Sequence, residues 1–248
     1  MESEILGHHI STRFDADLEQ LRSSVLAMGG LVERQLQRAL AGFIEADVAQ
    51  LATVAQEEQL VNTMERSIDE NCGRILATRS PAASDLRLLI AILKSNADLE
   101  RIGDEANKIA AIAGRRNSRG DDPDYFHELR HLGQMVQSMV RDALDAAARL
   151  DTKLGLDVIR RDRKVDEEYD ALQRHSVTSM MSDPGAIRRT LDVMWVVRAL
   201  ERVGDHAKNI CEHMVYAVHG KDVRHVRIED AERELKLATG TGSDTTGA

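Results

Sequence analysis

Along this chain Leu, Val, Ile, Met and Ala recur every three or four positions over long stretches, with charged residues between them. That is the period at which one face of an α-helix is buried and the opposite face is wet. The pattern breaks near Ala46-Asp47 and near Asp151-Thr152. Three prolines each follow a residue suited to cap a helix start: Ser80-Pro81, Asp122-Pro123 and Asp183-Pro184. There the cap oxygen would accept from a free N–H and proline would take the first helical position. These marks predict six helices, at about 12–45, 47–78, 81–115, 123–150, 152–181 and 184–219.

The segment GRRNSRGDD, from Gly114 to Asp122, is the one linker-like stretch, and it divides the chain in half. A shift of 101 residues lays LERIGDEANKIA (Leu99 to Ala110) on LERVGDHAKNIC (Leu200 to Cys211), with seven of twelve positions identical. A shift of 104 sets Val54, Glu58, Val61 and Asn62 on Val158, Asp162, Val165 and Asp166. A self-similar period of this length means two copies of one unit and not a solenoid of short repeats. The predicted fold is therefore all-α, with two tandem, pseudo-symmetric three-helix bundles: residues 1–117, residues 118–220, and a short extension over 221–248. An amphipathic run to Leu237 is expected in the extension, and its polar tail, TGTGSDTTGA, is expected to be disordered.

Composition narrows the function. Apolar residues make up 42% and charged residues 30%, a soluble helical balance, and aromatics at 3% argue for aliphatic packing. A net charge of −9 with no basic patch disfavours nucleic acid as a partner. The longest apolar run, Leu88 to Leu93, is far too short to span a bilayer. Residues Met1 to Ile10 carry Glu2, Glu4, His8 and His9 and no apolar signal region. Cys72 and Cys211 are isolated, which suits buried thiols in a reducing cytoplasm.

The candidate chemistry lies in two carboxylate pairs. Glu100 and Asp104, and likewise Glu201 and Asp205, are four residues apart and share one side of a helix. They lie nearly opposite the apolar stripes Leu88, Ile92, Leu99, Ile102, Ala106, Ile109 and Val193, Val196, Leu200, Val203, Ala207, Ile210. Both pairs are thus expected outside the packed core, open to solvent or a partner. Adjacent like charges destabilise a helix slightly, so their recurrence asks for a cation, either a metal or a basic side chain. Oxygen donors suit magnesium, manganese, iron or zinc without choosing among them. Asn209 and Glu212 extend the second set, whereas Lys108 and Ala111 stand at the matching positions of the first and predict a weaker site there. Glu58, Asn62 and Glu65, and opposite them Asp162, Asp166 and Tyr169, could reach across from the second helices, with arginine salt bridges the simpler role. His206 reads as a surface histidine, and Trp195, Met180, Met181 and Met194 read as core or interface filler.

The paired LERxGD segments, with SPAASDLR (Ser80 to Arg87) and GKDVRH (Gly220 to His225), resemble the PhoU family of phosphate-specific transport system accessory proteins. The resemblance runs over nearly the whole chain. It implies a homodimeric cytoplasmic protein, not an enzyme, that represses phosphate uptake and the phosphate regulon when phosphate is plentiful. Its implied partners are the ATPase subunit of the phosphate ABC transporter and a sensor histidine kinase, with the protein peripheral to that membrane complex. The family's Glu/Asp-x-x-x-Asp motif, which holds metal ions in some members, falls on Glu100 and Asp104 and on Glu201 and Asp205. The alternative reading is a carboxylate-bridged dimetal, ferritin-like oxidase, for which Glu128 to His131 supplies one Glu-x-x-His motif.

Overall fold

The structure, a computed structural model, describes residues 12–115, 126–224 and 226–233. Among these residues there are six long helices and no strand: α1 (Thr12–Ile44), α2 (Leu51–Arg79), α3 (Ala83–Arg115), α4 (Phe126–Arg149), α5 (Thr152–Ser182) and α6 (Ile187–His219). Short 3₁₀ turns at Val48–Gln50 and Pro184–Ala186 lead into α2 and α6, and a helical turn covers 228–233. Asp122-Pro123 and the polar tail lie outside the described residues.

The helix ends have local causes. Asp151 caps α5 by accepting from the Leu154 N–H at 3.0 Å, and Asp183 accepts from the Gly185 N–H at 2.8 Å with Pro184 behind it. The Ser80-Pro81 step differs from its expected role. Ser80 is left-handed (φ 45°) and closes α2, and α3 begins only at Ala83. Among the described residues three non-glycines, Ala46, Ser80 and Leu150, take positive φ, all beside breaks between helices. At Gly220 (φ 67°) a β-carbon would be strained in any case and would meet Arg87 at 3.5 Å.

Helices α1, α2 and α3 pack together, as do α4, α5 and α6, and the two triplets meet chiefly along α3 and α6. Contacts from Glu105 to Arg202, from Asp98 to His206 and from Arg87 to Gly220 run in opposite chain directions, so α3 and α6 are antiparallel. The apolar stripes read from sequence point inward: Leu99, Ile102, Ala106 and Ile109, and Val193, Val196, Leu200, Val203, Ala207 and Ile210, are all buried. The two triplets do not have separate interiors. One apolar cluster runs from Phe14 on α1 through Ile102 on α3 and Val203 on α6, and the rings of Phe43 and Phe126 stack 6.1 Å apart across the α1–α4 contact. A smaller cluster of Ala146, Leu156, Met214 and Val215 is closed by Val223 and Ala231 of the C-terminal extension.

Trp195 and Met181 are not core filler, being 62% and 81% exposed. Both cysteines are fully buried. Burial pushes the Cys72 thiol up to about 12 and raises that of Cys211 as well. A thiolate-specific reagent at neutral pH should therefore find no reactive thiol in the native chain and two per chain in denaturant; rapid labelling of the native protein would show that this core opens.

Candidate functional site

The third helix of each triplet carries its carboxylates on the side that faces the second helix. Glycine makes the close approach possible. A β-carbon on Gly103 would come within 3.1 Å of Gln35 Oε1 and 3.3 Å of Glu58 Oε2, and one on Gly204 within 3.3 Å of a Val165 methyl. Gly103 and Gly204 are the glycines of the two LERxGD segments, so the motif sets the gap between helices as well as supplying acids.

The pairs lie neither in the core nor outside it. Glu100 and Asp104 are half-buried in the α2–α3 groove, and Glu201 and Asp205 are half-buried in the α5–α6 groove. In the first groove Glu58 is buried; it accepts a 2.7 Å hydrogen bond from Gln35 Nε2 and hydrogen-bonds with the Asp104 carboxyl. Burial, together with Asp104 and Glu100, raises its pKa. Burial and the Asp104 charge likewise raise Glu100, and burial and the Asp69 charge raise Glu65. The Gln35 Oε1 and Asn62 Oδ1 oxygens are buried without a hydrogen-bond partner. Lys108 makes its ion pair with Glu105 at 3.0 Å, and Glu105 also binds Arg202 at 3.0 Å; only the longer-range charge of Lys108 reaches the groove, where it acts on Glu100.

In the second groove Lys208 is the central cation. Its Nζ lies 2.5 Å from Asp162 Oδ2 and 3.5 Å from Asp205 Oδ1. Burial works against its charge, but these acids and Glu212 outweigh burial and hold its pKa above the ordinary lysine value. Arg198 approaches Glu201 at 3.8 Å and lies over the Tyr169 ring, 5.8 Å from its centroid. Burial raises the pKa values of Asp166 and Glu201. Asn209 and Glu212, expected to extend the Glu201 and Asp205 set, line one cavity with Asp162, Asp166 and Lys208. Asn209 turns its amide to Asp98 at 3.3 Å, and Glu212 is buried beside Lys208, His213 and Arg224. Asn209 thus meets the crossing helix α3, which helical spacing alone does not show.

The arginine partners foreseen for the second-helix acids are largely absent from the observed pairs: Glu58 binds Gln35 and Asp162 binds Lys208. His206 is also not a surface residue. It and His213 are buried and hold Asp98 between them, with Nδ1 of His206 2.8 Å from Oδ1 and Nε2 of His213 3.0 Å from Oδ2. Although burial opposes the charge, the hydrogen bonds from His206, His213 and Asn209 hold Asp98 down at about 2. Asp98, Asn209 and His213 line a polar cavity of about 760 Å³ between α3, α5 and α6, with Lys94, Arg101, Asp162, Lys208 and Arg224 around it.

Lys208, Gln35, Asp98 and His213 were not among the sequence candidates. Lys208 could have been found by the rule that found the acids, since it stands three residues after Asp205 and seven after Glu201. Among the described residues no group of three or more His, Cys, Asp or Glu stands ready-made to hold a metal ion. Glu128 and His131 do not form a site core either: His131 is exposed on α4 and lies 3.8 Å from Glu168.

A PhoU domain model matches the chain twice, over residues 25–113 and 129–214, one match in each triplet. The chain belongs to the PhoU family. Among its PhoU relatives, the phosphate-specific transport system accessory protein PhoU homolog of Pseudomonas putida is 51% identical over 95% of this chain and 92% of its own length. The PhoU accessory protein of Escherichia coli K12 is 42% identical over 98% of this chain and all of its own. The crystal structure of PhoU from Pseudomonas aeruginosa superposes with a TM-score of 0.82 at 52% identity, covering 84% of this chain and all of that one. The phosphate transport system regulatory protein PhoU of Streptococcus pneumoniae gives a TM-score of 0.78 at 29% identity, over 85% of this chain and 99% of its own. The fold thus matches that of solved PhoU structures over most of the chain.

Asp98 gives the site a signed pH test. Its folded pKa is depressed below 3.8, so its contribution to stability is present above about pH 4 and lost as pH falls toward 2. Asp98→Asn should cost about 1–3 kcal/mol at neutral pH by weakening two buried histidine bonds, and urea titration should show that deficit shrinking between pH 4 and 2. A deficit independent of pH would contradict the assignment.

Proposed function

We propose that this chain is an accessory regulator of phosphate uptake that represses the uptake system and the phosphate regulon when phosphate is abundant. The observation that carries the reading is the near full-length match to relatives named as accessory and regulatory proteins of phosphate transport, in sequence and in fold. Its role is that of an adaptor, not a catalyst. As a cytoplasmic homodimer it would dock on the transporter's ATPase subunit and on the sensor kinase, with no nucleic acid involved. No helix among the described residues is long and apolar enough to cross a membrane, so contact with that complex would be peripheral.

The chemistry of the grooves supports a cation as part of this role. Oxygen donors that raise one another's pKa values, with buried Asn62 and Gln35 oxygens left unpartnered, suit a hard divalent ion once side chains turn toward it. Glu58, Glu100 and Asp104 would hold it in the first groove. Such an ion would neutralise the acids and stiffen the groove as a docking face. The oxidase alternative gains no support, because Glu128 and His131 lie apart from either acid cluster.

Deleting the gene should leave phosphate-regulated genes expressed in phosphate-rich medium, and the plasmid-borne chain should restore repression. The tagged chain should co-purify the transporter ATPase or the kinase. A deletion strain with normal phosphate repression would refute this function.

A further inference from the structure

The two grooves are built from matching acids but are not electrically equivalent. Glu58, Asn62, Glu100 and Asp104 of the first stand opposite Asp162, Asp166, Glu201 and Asp205 of the second. The difference lies in the cations. Ala97 and Asn107 occupy the first-copy positions of Arg198 and Lys208, and Glu65 occupies that of Tyr169. Thus the second groove has two basic side chains and an aromatic ring where the first has an alanine, an amide and a third glutamate.

We propose that Lys208 and Arg198 are built-in counter-ions that close the second groove to divalent cations, leaving the first groove as the cation site of this chain. This rests on the cation reading given above and reverses the order expected from Lys108 and Asn209. Lys208 takes the position a metal ion would need, with its ammonium between Asp162 and Asp205 at 2.5 and 3.5 Å. Arg198 lies 3.8 Å from Glu201 on the flank. A divalent ion in that space would face an ammonium within ionic contact and would have to displace it from an acid that is only 5% exposed. In the first groove the lysine that sequence placed as a competitor is committed to Glu105. The wholly buried Gln35 fixes the Glu58 carboxylate with its Nε2, while its Oε1 has no partner. A tethered cation needs no supply from solution, so the second groove keeps one charge state whatever the ion concentration, and only the first would respond to it.

The test is Mn²⁺ titration of the full chain, reading free Mn²⁺ by electron paramagnetic resonance. The unaltered chain should take up one equivalent. Asp104→Asn should weaken uptake at least tenfold, and Asp205→Asn should leave it unchanged. Making the second groove like the first, with Arg198→Ala and Lys208→Asn together, should add a second equivalent, which Asp205→Asn in that background removes. The converse pair, Ala97→Arg with Asn107→Lys, should abolish the first. Two equivalents in the unaltered chain, or uptake lost with Asp205→Asn, would overturn the proposal, and the latter comparison holds even if the double variant does not fold. No uptake by the unaltered chain but one equivalent in the Arg198→Ala, Lys208→Asn variant would uphold the counter-ions and reject only the cation reading of the first groove. No gain in a folded double variant would overturn the counter-ion role.

Discussion

The antiparallel contact of α3 with α6 is the constraint on which the rest of the molecule depends. Each three-helix unit has one apolar stripe on its third helix and a second, partly apolar face behind it. Left apart, each unit would expose that second face, and the structure covers it by setting the two third helices against each other. The result is one apolar interior shared by both repeats. The same contact carries the cross-repeat polar bonds, from Asp98 to His206 and His213 and from Glu105 to Arg202. These favour one register of the two helices, because buried Asp98 is satisfied chiefly by His206 and His213 of the other repeat.

That register also positions the acid grooves. With the inner faces of α3 and α6 committed to one another and to the core, Glu100, Asp104, Glu201 and Asp205 are left facing α2 and α5. The grooves are narrow because Gly103 and Gly204 let the backbones come close. The acids are therefore only half open to water and face second-helix acids, Glu58 and Asp162, and burial raises the pKa values of Glu58, Glu100 and Glu201.

Much of this could be read from the residues in advance. Helix spans were legible because the apolar period is strong and the breaks at Asp151 and Asp183 carry genuine caps. Ser80 was misread because a serine before proline signals a helix start, while here its backbone enters the left-handed region and ends the preceding helix. The duplication was legible from LERIGD and LERVGD. What one helix wheel could not show was the environment supplied by other helices. His206 looked exposed because its own helix places it beside Asp205, yet α3 covers it with Asp98. Asn209 looked like a fourth ligand for the same reason. Lys208 was legible in principle beside Asp205, but its closest partner, Asp162, comes from α5 and not from its own helix.

Trp195 is the sole tryptophan of the chain and lies largely in solvent on the outer side of α6. Its indole is consequently a poor witness of the core. Intrinsic emission would report little of the collapse or melting of the shared interior, and would respond chiefly when another molecule shields that end of the helix. The fold has in effect placed its one indole as a label for surface encounters.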